Sequence, residues 1–252
     1  LHMRPIDLKQ VQDFIRKTIG PEFHDKKLAK LKKLTLDEIL KRKNPYLFKA
    51  KGAVTANDLI VSVLDATVSS GEETIFGNFL EKVAIFICSE THGGKKSSTT
   101  GLDLEFSRGK QHYIVSIKSG PNWGNSDQIK KMQANFTKAK KTLRTSGGLH
   151  KVEIVAVEGC CYGIDDSPEK GEYQKLCGQR FWELLSGKRE LYRDLIEPLG
   201  VEAKRHNDLL ATIRAQKLNL FTETFLADYC NNGVINWDKL VRYNSGAKSK
   251  VS

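Results

Sequence analysis

Acid is what this chain is short of. Its 252 residues carry 30 Asp and Glu against 41 Lys and Arg, a formal net charge of +11. A field of that sign draws in polyanions and speeds encounter with them. Basic charge alone does not separate a nucleic-acid partner from a merely solvated surface, so its clustering has to decide. Cysteine is also scarce. The five thiols, Cys88, Cys160, Cys161, Cys177 and Cys230, are odd in number and form no C-x-x-C pair. That disfavours a zinc site or a disulfide framework and leaves buried free thiols as the expectation. The six histidines make neither an H-x-x-x-H nor an H-N-H pattern, so histidine-centred metal chemistry is disfavoured as well. No apolar run approaches the length of a membrane span and no signal-peptide pattern opens the chain. A soluble, intracellular protein is therefore expected. Leu1-His2, ahead of Met3, reads as a remnant of cloning and is set aside.

The length suits one large domain or a core with a helical annex. Residues 6–43 read as helical and very basic, with Lys26, Lys27, Lys30, Lys32, Lys33, Lys41, Arg42 and Lys43 beside a modest apolar stripe. Asn44-Pro45 breaks that pattern. Thr55 is the expected N-cap of a helix over 56–68, with Asp58 at its third position. Ser69-Ser70-Gly71 is expected to end it, and a second helix is expected over 72–90, with Phe76, Phe79, Leu80, Val83, Ala84 and Ile87 at helical spacing. Beside that stripe Glu73, Gly77 and Glu81 recur at every fourth position. A polar loop follows at 92–100. Two strands joined by Arg108-Gly109-Lys110 come next. Leu102, Leu104 and Phe106 face one side of the first, Asp103 and Glu105 the other. On the second, Tyr113, Val115 and Ile117 share one face, and Ile114, Ser116 and Lys118 the opposite one. A helix over 125–145 and an apolar strand over 151–157 imply a parallel strand–helix–strand unit. Helices are expected over 172–186, 188–197, 202–215 and 219–231, and a frayed tail from 245.

The informative pair is Asp103 and Lys118. Neighbouring strands bring an acid and a lysine together, and such a pair suits metal binding and the steadying of a water beside a phosphodiester. Magnesium takes hard oxygen ligands, one or two of them carboxylates. The string D-x(12)-S-x-K is weak evidence by itself.

Context adds to it. The α-β-β-α-β order, the run Glu72–Glu81 (EETIFGNFLE), the run Ile114–Asn125 (IVSIKSGPNWGN) and the segment Tyr173–Gly187 (YQKLCGQRFWELLSG) resemble the PD-(D/E)XK nuclease superfamily. Within it, they look like a bacterial type II restriction endonuclease, over roughly residues 44–200. The resemblance implies an α/β restriction-endonuclease-like core, a mixed sheet flanked by helices, with N- and C-terminal helical additions. It divides the chain into a basic helical region at 4–55, the core at 56–200 and a helical region at 201–252, together one compact unit. It makes Asp103 the metal-binding aspartate, Lys118 the catalytic lysine and Glu81 the acid that some members place on the preceding helix. It implies Mg²⁺ and cleavage of double-stranded DNA at a short sequence. A homodimer, a companion DNA methyltransferase without a stable complex, and a bacterial cytoplasmic setting are implied too. One position departs from the pattern. Ser116 occupies the catalytic position where the second carboxylate is usual, and serine carries no charge. Glu81, Glu105 or Asp127 could supply the missing oxygen. Glu81 is favoured, because Gly77 lets the helix approach the sheet closely.

The helix over 125–145 carries Lys130, Lys131, Lys138, Lys140, Lys141 and Arg144 against one acid, Asp127. That ratio favours phosphate contact over a merely solvated face. Asn122, Trp123, Asn125 and Gln128, just before and within its first turn, are candidates for contact with bases and phosphates, together with Lys130 and Lys131. Two other readings stay open: a structure-selective repair nuclease of the same superfamily, and a basic DNA-binding module whose site has decayed at Ser116.

Overall fold

The computed structural model describes residues 3–145, 149, 152–200 and 203–247, and for 204 and 205 only the backbone. Lys151, Glu202 and the tail 248–252, which some of the expectations include, lie outside the described residues. The chain divides into two compact units. One comprises Leu1–Gly20 and Phe76–Val201, the other Pro21–Ile75 and Glu202–Ser252.

The first unit holds a five-stranded mixed sheet in the order β1-β2-β3-β4-β5. Strand β2 (Leu104–Arg108) pairs antiparallel with both β1 (Lys95–Lys96) and β3 (Gln111–Lys118). Strands β4 (Glu153–Cys160) and β5 (Gln174–Cys177) continue the sheet in parallel. The parallel pairing of β3 with β4 is as expected for a strand–helix–strand unit. Between them lies helix α6 (Ser126–Thr145). Its Met132, Phe136 and Ala139 pack with Ile114, Ile154 and Ala156. Period-2 alternation then puts Ser116 and Lys118 of β3, and Glu158 of β4, on this same α6 face. On the other face, Phe106 and Tyr113 stack at 4.7 Å. Leu102 departs from its expected side. It precedes the strand and packs with Ile114 in the α6 cluster.

Helix α5 (Ala56–His92) is one helix of 37 residues. The expected break at Ser69-Ser70-Gly71 does not occur. Gly71 is buried, and a Cβ there would lie 2.9–3.3 Å from the end of the Lys30 side chain. Only the movable end of Lys30 covers this glycine, and the helix runs through it, since one glycine costs a helix only about 1 kcal/mol. Thr55 and Asp58 cap it as expected, with Asp58 N–H donating to Thr55 Oγ1 at 3.1 Å and Thr55 N–H to Asp58 Oδ2 at 3.4 Å.

The expected helix over 172–186 is divided. Gln174–Cys177 pair with Val157–Cys160 as β5, and only from Gln179 does α7 (Gln179–Ser186) begin. Pairing to β4 overrides a segment with good local helix propensity. The five cysteines are free and four of them are buried.

The second unit is mainly helical. It contains α2 (Asp25–Lys33), α3 (Leu36–Arg42), α4 (Pro45–Ala50), α10 (Ala203–Tyr229) and α11 (Trp237–Ser245), with the N-terminal part of α5. Leu31, Ile39, Phe48, Leu59, Ile60, Leu64, Phe221 and Phe225 form its core. Several of its lysines are spent on local ion pairs, among them Lys27–Glu72 at 2.6 Å and Lys41–Asp37 at 2.7 Å. The two helices expected between 202 and 231 are one, because nothing at Gln216-Lys217-Leu218 breaks a helix. Its end is followed by a hairpin of β6 (Cys230–Asn231) and β7 (Val234–Ile235) across Asn232-Gly233. Both turn residues have positive φ, 49° and 79°, as an Asn-Gly hairpin turn requires.

Candidate active site

Asp103 stands one residue before β2. Its N–H donates to Val115 O at 2.9 Å, so it faces Ser116 on β3. Its Oδ2 accepts the Ile117 N–H at 2.6 Å and lies 3.5 Å from Ser116 Oγ. The carboxylate is thus fixed to the strand that ends in Lys118. It is half-buried, as is Lys118. Asp103, just ahead of β2, and Lys118, at the end of β3, lie at the same end of this antiparallel pair. Ser116 itself is buried, at 1% exposure.

In-register pairing extends this row across the sheet. Ser116 pairs with Glu158 of β4, and Glu158 with Lys175 of β5. Adjacent strands lie about 4.8 Å apart, so Asp103, Ser116, Glu158 and Lys175 form one line across the sheet. Glu158 is 1% exposed. Its Oε1 accepts the Trp123 indole N–H at 2.7 Å and lies 3.3 Å from Lys175 Nζ. Lys175 also donates to Pro121 O at 2.8 Å. Burial pulls the Lys175 ammonium down, but Glu158 leads the opposing influences and its pKa stands above the ordinary value. Burial first, and then the Glu158 charge, push Tyr173 up. The Trp123 ring in turn lies under Lys118, with Nζ 4.5 Å from the ring centroid, within cation–π range. Glu158 and Lys175 escaped the sequence reading. Glu158 falls one residue past the expected strand end, and Lys175 falls in a segment read as helix. An ionisable side chain directly following four apolar strand positions, Ile154 to Val157, was the available signal.

The three candidates for the second carboxylate are placed differently. Glu81 of α5 pairs with Lys96 of β1, Oε1 to Nζ 3.4 Å. Lys96 pairs with Leu104, next to Asp103. Burial, with the Glu81 charge second, pushes the Cys161 thiol up to about 12, and Cys161 N–H donates to Lys118 O at 2.9 Å. Glu81 therefore lies at the sheet end that carries Asp103 and Lys118. Helix and sheet approach closely here, since a Cβ on Gly77 would sit 3.5 Å from Ser119 Cβ. Alanine would fit that space in ordinary van der Waals contact. Glu105 is turned into a polar cluster of its own. It accepts hydrogen bonds from Ser97 Oγ and Thr99 Oγ1, and its Oε2 lies 3.7 Å from His112 Nε2. Asp127 is exposed in the first turn of α6.

At that same helix start Asn125 and Gln128 cap one another. Gln128 N–H donates to Asn125 Oδ1 at 3.0 Å and Asn125 N–H to Gln128 Oε1 at 2.9 Å. The arrangement uses the two amide oxygens and leaves both NH₂ groups as donors. Asn122, Asn125, Gln128, Lys130 and Lys131 are exposed. Lys140 is committed elsewhere, to Glu172 O at 2.7 Å. Trp123 differs from its neighbours, being half-buried and held by Glu158.

Among the described residues no three His, Cys, Asp or Glu side chains cluster as a metal site. Magnesium needs only one or two carboxylates, with water and phosphate completing the shell, so the oxygen donors of Asp103 and Glu81 fit such an ion. A carboxylate just ahead of β2 and a lysine at the end of β3 stand near the start of a basic helix, whose N-terminus favours anions. The chain belongs to the family of the type II restriction endonuclease EcoO109I, whose model matches residues 9–207. It is accordingly a restriction endonuclease, a hydrolase that cleaves DNA. A search of the curated proteins finds no match. Among the described residues no helix is long and apolar enough to cross a membrane.

Proposed function

We propose that this enzyme cuts double-stranded DNA at a short specific sequence in a Mg²⁺-dependent reaction, with Asp103, Glu81 and Lys118 as its site. The observation that carries this reading is the tie between Asp103 and β3, which holds one carboxylate against the strand that ends in Lys118. Asp103 and Glu81 would hold the cation, which when bound polarises the phosphoryl oxygen and acidifies water. Lys118 offers a compact positive charge and three N–H donors. It orients the attacking water and offsets the charge that grows on the phosphate. In-line attack at phosphorus expels the 3′ oxygen and leaves 5′-phosphate ends. Ser116 contributes no charge and lets the acid come from α5.

The start of α6 meets the backbone of the duplex. Its N-terminus, Lys130 and Lys131 bind phosphate, and the amide NH₂ groups of Asn122, Asn125 and Gln128 contact base edges. A palindromic target would be read by a homodimer, because protein two-fold symmetry mirrors that of the site. The cellular setting of this reading is the bacterial cytoplasm, where a companion methyltransferase protects the same sequence without a stable complex. Incubation of plasmid DNA with the protein tests the reaction. Cleavage is expected with Mg²⁺, none with excess EDTA, and the new ends should be ligatable. Activity that persists in EDTA would sink the metal-dependent reading.

A further inference from the structure

The nuclease reading leaves unexplained a fully buried carboxylate on the neighbouring strand. Glu158 lies in line with Ser116, accepts the indole N–H of Trp123, and is paired with Lys175. Burying an ion pair in this way rarely adds stability over well-packed apolar residues, so its presence calls for a use. The loop it holds supplies one. Residues 119–125 follow Lys118 directly, and two of their groups are pinned to the Glu158–Lys175 pair. The Trp123 indole is held by Glu158, and the Pro121 carbonyl accepts from Lys175. The hydrogen bond anchors the indole at its N–H edge, packing against the α6 cluster holds the ring, and the Lys118 ammonium lies over its face, 4.5 Å from the centroid.

We propose that Glu158, acting through Trp123, is the positioning residue for Lys118. The indole forms a floor under the ammonium and limits where the long lysine side chain can carry its charge. Lysine stems are flexible and carry considerable rotamer entropy. A platform of fixed orientation confines that freedom before substrate arrives. Glu158 touches neither the DNA nor the reacting atoms in this account. What it supplies to Trp123 is an acceptor, and its charge is balanced by Lys175. The inference rests on the proposed role of Lys118, and its test separates the two.

Two double variants keep the Lys175 charge from being stranded. Glu158→Gln with Lys175→Met retains an acceptor for the indole in a neutral pair. Glu158→Leu with Lys175→Met removes that acceptor at similar volume. The rate of cleavage of pre-bound plasmid DNA is measured after adding Mg²⁺, and DNA affinity is measured in Ca²⁺. The Gln/Met enzyme should cut within about threefold of the wild type, and the Leu/Met enzyme at least about tenfold more slowly with unchanged affinity, as expected for sub-ångström displacement of a reacting group. Trp123→Phe keeps a ring under Lys118 and loses the N–H. It should resemble the Leu/Met enzyme, and it decides the matter if that variant fails to fold. Equal rates in the Gln/Met and Leu/Met enzymes, or a wild-type rate in Trp123→Phe, would overturn positioning. So would an equal loss in both double variants, which would make the charged Glu158–Lys175 pair, and not the acceptor for the indole, the requirement. If wild type and Lys118→Met cut at the same rate, the role of Lys118 falls first, and the positioning of it falls as a consequence.

Discussion

Asp103 and Ile117 are joined side chain to backbone, the Ile117 N–H donating to Asp103 Oδ2 at 2.6 Å. The bond fixes the carboxylate one residue before Lys118 on the partner strand. It makes charge and structure separable at Asp103. Asparagine keeps an oxygen that can accept the Ile117 N–H but loses the charge. Asp103→Asn should therefore melt close to the wild type and cut plasmid DNA at least about 100-fold more slowly, as loss of a metal carboxylate implies. Asp103→Ala should also lose stability, by about 1–2 kcal/mol, because the N–H goes unmet. Thermal melts and cleavage rates of the two variants check both halves.

Glu81 and Glu105 divide the question left by Ser116. Glu81→Gln should slow cleavage by at least about tenfold with little change in melting temperature, the pattern of a lost ion ligand on a partly exposed helix. Glu105→Ala should do the reverse. It strips the acceptor from Ser97 and Thr99, so stability should fall by about 1–3 kcal/mol while the folded enzyme still cuts. A cleavage rate unchanged in Glu81→Gln would remove that helix from the site.

Much of this was legible in the sequence, and the misses have common physical causes. The faces of β3 followed from alternation, and the helix start at Thr55 from its cap. Glu158 was not legible as a neighbour of Ser116, because strand register depends on pairing that no local pattern encodes. Strand β5 was read as helix for the same reason: its partner β4 decides its state. Gly71 looked like a stop signal, yet an isolated glycine inside a helix costs only about 1 kcal/mol and α5 continues through it. The Asn232-Gly233 turn could have been read, since an Asn-Gly pair between β-prone residues is a strong hairpin signal.

Phosphate contact by α6 predicts a salt signature. Alanine at Lys130 and Lys131 together should weaken DNA binding similarly on all sequences. It should also reduce the slope of log affinity against log salt by about 2, near one per lost phosphate contact. Binding isotherms in Ca²⁺ between low and moderate salt measure this. An unchanged slope would place the duplex elsewhere.

Buried His92 and half-buried His112 oppose acid. Burial lowers the pKa of His92, with the Leu184 carbonyl opposing it, and lowers that of His112, with Glu105 opposing it. Both stand below the ordinary 6.5 in the folded chain. A depressed folded value favours the neutral ring, so this contribution is present above pH 6.5 and is lost as the pH falls through the lower folded values. Unfolding free energy by urea should decline from pH 6.5 downward, and replacing both rings with glutamine should flatten that decline. A slope unchanged in the double variant would assign the acid sensitivity to other groups.

The central claim is that Asp103 and Lys118 serve a site-specific nuclease. Its most direct test is digestion of a plasmid of known sequence in Mg²⁺ by wild type and by Lys118→Met, with the ends mapped. Wild type should give discrete fragments whose 5′-phosphate ends fall at one recurring sequence, and Lys118→Met should give none in the same time while still binding the DNA. A smear without bands, or equal cutting by Lys118→Met, would contradict the account.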